Sequence, residues 1–83
     1  MIEKSKFLNS VPDIKYRQAS LWVALDEHKA VQEMLEAIRT AKIVSQAHHK
    51  LNVDRARLLS EEIQNPDARA RLLEAVGNTY ISE

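Results

Sequence analysis

Eighty-three residues are about half a typical domain length, so the chain has room for one small domain and no second. Of its 37 apolar residues ten are Ala and four are aromatic, so 21 Leu, Ile and Val side chains must build most of a thin core, with no Cys to staple it. Twelve basic residues balance twelve acidic ones, and the zero net charge removes the global electrostatic argument for a nucleic-acid or anionic-membrane partner.

The single glycine, Gly77, sets the expected class. Hairpins, positive-φ turns and phosphate-cradling loops all draw on glycine, so 76 residues without one predict an all-α protein. The longest apolar run, from Leu21 to Leu25, is too short for a bilayer span or a signal-peptide core. A soluble, cytoplasmic protein is expected, and the lack of Cys fits that compartment.

In chain order, residues 1–9 carry Phe7 and Leu8 without a sustained period and read as a flexible N-terminal arm. Ser10-Val11-Pro12-Asp13 has the form of a helix start, with a hydroxyl cap, a proline in the first turn and a carboxylate three residues after the cap. No Gly or Pro follows until Pro66. Within that stretch Asn52 is the best candidate cap for a new helix, with Asp54 in its first turn. Asn65-Pro66-Asp67 marks a further start, and Gly77 stands where a C-terminal glycine would end that helix. Three helices are predicted, near 11–51, 53–64 and 66–76, in a single helical domain spanning 10–77, with a tail at 78–83.

The first of these would be a rod of about 60 Å, far longer than a lone 83-residue globule accommodates. It must therefore pair with another chain or break. Ile14, Leu21, Leu25, His28, Leu35 and Ile38 share one side of a continuous helix, whereas Ala41, Val44, His48 and Leu51 rotate away from it. A bend at 38–44, or one at 25–26 with Asp26 as cap, would resolve the mismatch and raise the helix count to four. The expected architecture is a helical hairpin or small bundle, dimeric through its first helix.

Catalytic and metal-binding patterns are missing. His48 and His49 are adjacent and diverge on a helix, His28 has Ala24 and Gln32 at the i±4 positions, and no His-x-x-x-His or Glu-x-x-His motif exists. No Ser lies in a Gly-x-Ser-x-Gly elbow. No enzyme, cofactor or metal is expected.

Charge is arranged in blocks, net +2 over 1–25, −3 over 26–38, +4 over 39–58 and −3 over 59–83. Such blocks suit antiparallel helices, but Lys29 with Glu33, Arg57 with Glu61 and Asp67 with Arg71 are i,i+4 pairs that account for the charges within single helices, and this local pairing is the expectation. Arg55-Ala56-Arg57-Leu58-Leu59 recurs as Arg69-Ala70-Arg71-Leu72-Leu73, either a duplicated unit or a shared use of good helix formers.

Two functional expectations follow. The first is a non-catalytic protein–protein interaction module, regulatory, adaptor or chaperone-like, that binds a protein partner or itself through Tyr16, Trp22, Leu25, Val31, Leu35 and Ile38; Trp22 reads either as a partner anchor or as core filler. The second is a small nucleic-acid-binding regulator using the basic segment 39–57 through Arg39, Lys42, Lys50, Arg55 and Arg57. Against the second, a helix-turn-helix anchored at Ala47 would place Leu51 where a glycine belongs and Arg57 where a core residue belongs.

Overall fold

The computed structural model of the chain describes the backbone of residues 4–81 and the side chains of residues 10–77. Four helices follow one another: α1 (Lys4–Trp22), α2 (Glu27–Val44), α3 (Gln46–Glu62) and α4 (Pro66–Ile81). The all-α class is as expected, and the helix count is four instead of three. The predicted rod is cut twice. Residues 23–26 form a turn in which Asp26, in extended conformation at φ −156° and ψ 100°, caps α2 by accepting the Lys29 N–H at 3.2 Å. Ser45 makes the second cut alone: extended at φ −173° and ψ 164°, it closes α2 by donating its N–H to the Ala41 carbonyl and opens α3 by accepting the His48 N–H at 3.1 Å.

The two cuts divide the rod among α1, α2 and the first part of α3, helices of 19, 18 and 17 residues and none longer than about 28 Å. These fold back into a body with a radius of gyration of 12.6 Å, close to the ~12 Å expected of a monomer this size. The length argument for a partner chain along the first helix therefore no longer holds.

Three other expected boundaries are corrected. Pro12 lies inside α1, not at its first turn, and leaves the carbonyl of residue 8 without its usual donor. Asn52 does not cap a helix; it is fully buried in mid-α3, where its Nδ2 donates to the His48 carbonyl at 2.8 Å and its Oδ1 is buried without a donor. Gly77 lies within α4 at an ordinary negative φ, and the helix continues to Ile81. The Asn65-Pro66 boundary is as predicted: Asn65 Oδ1 accepts the N–H groups of Asp67 and Ala68 at 3.0 and 3.1 Å. Of the expected arm and tail, residues 1–3 and 82–83 lie outside the described residues, while residues 4–9 belong to α1 and 78–81 to α4.

Among the described residues α2 and α3 each touch the other three helices, and α1 and α4 do not meet. The core forms where these helices converge. Helix α2 turns Val31, Met34 and Ile38 inward, α3 contributes Val53 and Leu59 with Ile63 just beyond it, and α4 contributes Leu72 and Val76. Six alanines, Ala19, Ala30, Ala37, Ala41, Ala56 and Ala68, are also fully buried. Small side chains at these contacts let the helix axes approach closely, which is how a chain poor in large apolar residues closes a core. Its principal extents are 44 × 31 × 14 Å. A slab so thin, against a helix diameter of about 10 Å, leaves an outer face on every helix.

One acid ties the two ends of this arrangement together. Glu27, in the first turn of α2, accepts the backbone N–H of Gln64 at 2.6 Å and of Asn65 at 3.1 Å, one on each carboxylate oxygen. The α3–α4 connection is thereby anchored to the start of α2 by two charge-assisted hydrogen bonds.

Candidate interaction surface

The six residues expected to bind a partner divide by location. Val31 and Ile38 lie within the core and are not surface residues. Tyr16, Trp22 and Leu35 are half-buried and pack against that core from its edge. Leu25, in the α1–α2 turn, is 78% exposed. Both aromatic rings also carry a cation: the Lys29 ammonium lies 4.9 Å from the Trp22 ring centre, and the Arg55 guanidinium 4.7 Å from that of Tyr16. Trp22 thus serves as filler on its inner face and as a platform on its outer one.

The break at 23–26 divides the single stripe expected across 14–38. A continuous helix would align Ile14 and Leu21 with Leu35 and Ile38, but the turn resets the phase. In the folded chain α1 faces inward through Pro12 and Ala19, seven residues apart, with Tyr16 and Val23 beside them. Ile14 and Leu21, also seven apart, stand on the opposite side, Leu21 72% exposed. Helix α3 repeats this arrangement. Val53, Ala56 and Leu59 face the core, while Leu51 and Leu58, seven residues apart, are 45% and 62% exposed. A sequence reading that counted both faces of each helix would have found these pairs, since the 7-residue spacing is visible on each.

The basic residues expected to meet nucleic acid differ in exposure and engagement. Arg55 is half-buried and engaged, its Nη1 donating to Asp13 Oδ1 at 2.6 Å while its plane covers Tyr16, so it joins α3 to α1. Arg39 and Lys42 are exposed near the end of α2, and Lys50 and Arg57 are exposed on α3. The expected Lys29–Glu33 pair is replaced by contacts between helices: Lys29 covers Trp22, and Glu33 with Glu36 receives Lys15 of α1, at 3.4 and 2.9 Å. The hydrogen bond to Glu36 does most to raise the Lys15 pKa above its ordinary value, partly offset by burial and reinforced by Glu33.

The recurring Arg-Ala-Arg-Leu-Leu segments do not occupy equivalent positions. Ala56 and Leu59 are buried and Leu58 is exposed in the first, whereas Leu72 is buried and Ala70 and Leu73 are exposed in the second. Two copies of one unit would present the same residues inward. The echo is therefore one of composition.

At the end of the slab an open notch of ≈470 Å³ lies between the α1–α2 turn and the end of α3, lined by Val23, Ala24, Leu25, Asp26, Glu27, Glu62 and Gln64. Two of its acids are already engaged, Asp26 by the Lys29 N–H and Glu27 by the α3–α4 connection. Among the described residues no group of three His, Asp or Glu is placed to hold a metal ion, and no helix is long and apolar enough to cross a membrane. No protein-family model, curated protein or solved structure matches the chain.

Charge along the two central helices runs in opposite senses. Helix α2 follows its macrodipole, with Glu27 in the first turn and Lys42 in the last. Helix α3 has no acid in its first turn and no base in its last, where Glu61 and Glu62 sit at the negative end of the dipole. Opposing the dipole costs a surface helix a few tenths of a kcal/mol or more per charge.

Proposed function

We propose that the protein is a small non-catalytic interaction module, regulatory, adaptor or chaperone-like, that binds protein through outward apolar stripes on its helices. One observation carries this reading: Ile14 and Leu21 on α1, and Leu51 and Leu58 on α3, form exposed pairs at 7-residue spacing on helices whose opposite faces already fill the core. Isolated surface leucines need no explanation, but pairs aligned on one face of a helix offer a line of apolar contacts that a partner can cover. Leu25, in the turn after α1, is also exposed. We place the protein in the cytoplasm, where a chain without Cys loses nothing to reduction.

Support for the nucleic-acid alternative is weaker, because Arg55 is engaged by Asp13 and Tyr16 instead of being presented. Site-specific photo-crosslinking in cells tests both readings. A photoreactive residue at position 21 or 58 should give discrete protein adducts that one at exposed Gln32 does not. Equal labelling from all three sites, or retention on DNA that falls steeply with salt, would contradict the module reading.

A further inference from the structure

The α3 strip has a property that the α1 strip lacks: its sequence is complementary to itself when reversed. Lys50 stands just before Leu51, and Glu61 and Glu62 stand after Leu58, all on exposed positions. Lay two α3 helices antiparallel about a two-fold axis between residues 54 and 55, and Leu51 of each copy meets Leu58 of the other. The same register brings Lys50 of each copy beside Glu61 and Glu62 of the other. The contact is isologous, so one patch serves both copies.

We propose that this face of α3 is the interface of a homodimer, with a second copy of the chain as its occupant. The inference rests on the reading of the strips as binding surfaces and names what covers one of them. Charge order supports it independently of the leucines. Glu61 and Glu62 lie at the unfavourable end of their own helix dipole. In the antiparallel pair they face the first half of the other α3, where its basic residue and the positive end of its dipole lie. A parallel pair would set like charges side by side along its whole length, whereas the antiparallel pair does so only next to the axis, at Asp54 and at Arg55, the latter held by Asp13 of its own chain. The α1 strip offers no such reversal, since its exposed flank carries Arg17 and Gln18.

Sedimentation equilibrium of the full chain should show the weight-average mass rising from 9.5 kDa toward twice that value with concentration. Leu58→Glu should raise the dissociation constant at least roughly tenfold, as expected for loss of a central apolar contact. Lys50→Glu and Glu62→Lys should each weaken association, and the double exchange should restore it. Twelve residues, about 18 Å, separate the two positions on one helix, so the rescue cannot arise within a monomer.

Orientation is read by disulfide formation, because the chain has no cysteine of its own. Asp54→Cys, beside the axis, should crosslink to itself under mild oxidation. Ala47→Cys should not, but should crosslink to Glu62→Cys in a mixture of the two variants. A mass of 9.5 kDa at every concentration, or equal self-crosslinking from positions 47 and 54, would overturn the proposal. Discrete adducts to other proteins from position 58, in a chain that remains monomeric, would overturn the homodimer and leave the module reading intact.

Discussion

Helices α2 and α3 lie side by side at the centre of the slab and use the same kinds of apolar residue differently. Helix α2 commits Val31, Met34 and Ile38 to the core and orders its charges with its dipole. Helix α3 commits Val53 and Leu59, holds Leu51 and Leu58 out to solvent, and orders its charges against its dipole. Of the large apolar residues of α2 only Ile43, near its end, is strongly exposed at 77%, whereas α3 holds out two leucines aligned on one face, Leu51 and Leu58. The contrast separates residues that fold the protein from residues left over for a partner.

Substitutions can sharpen that separation, beginning with the inward set. Leu72 of α4 is fully buried, so Leu72→Ala should lower the unfolding free energy by about 2–5 kcal/mol. That is a large share of what a domain this small possesses, and urea titration followed by circular dichroism reads it. Next comes the anchor between α2 and the α3–α4 connection. Glu27→Ala removes the acceptor of two backbone N–H groups and should cost about 1–3 kcal/mol; hydrogen exchange at Gln64 and Asn65 should accelerate more than at the α2 core.

Gly77 provides a change in the opposite direction. A Cβ built there meets nothing within 4 Å and φ is not positive. Gly77→Ala should therefore stabilise the chain by about 0.5–1 kcal/mol, seen as a higher melting temperature. The smallest effect belongs to the α1–α2 ion pairs. Because Glu36 and Glu33 raise the Lys15 pKa above 10.5, their stabilisation is fully present below that pH and is lost as pH rises through the folded-state value. Lys15→Gln should cost up to about 1 kcal/mol near neutral pH. Its stability should converge with that of the parent chain in strongly alkaline solution.

Much of the fold was legible because helix signals are local. The scarcity of glycine announced the class, and Asn65-Pro66 and Asp26 are capping sequences that act within three residues of themselves. Ser45 was missed because no acid follows it at the third position; its hydroxyl instead lies 2.7 Å from the His48 ring Nδ1. Asn52 misled for the converse reason. Its side chain has the chemistry of a cap, but packing turned it inward and a backbone carbonyl took its amide. Pro12 and Gly77 are both found in helix interiors, where the other contacts of α1 and α4 override a local preference.

The candidate surface was harder to read, because an apolar residue looks alike in sequence whether it meets a neighbouring helix or a partner. Val31 and Ile38 were drawn into the core, and Ile14 and Leu21 out of it, by the phase reset at 23–26. A turn of four residues changed the assignment of a whole stripe.

The division between folding residues and binding residues can be tested in a single variant with two readouts. In dilute solution Leu58→Glu should unfold in urea within about 0.5 kcal/mol of the parent chain, as an exposed position should, while at high concentration it should stay at 9.5 kDa where the parent associates. A loss of more than about 2 kcal/mol in dilute solution would mark Leu58 as a core residue, and undiminished self-association would show that α3 is not the interface.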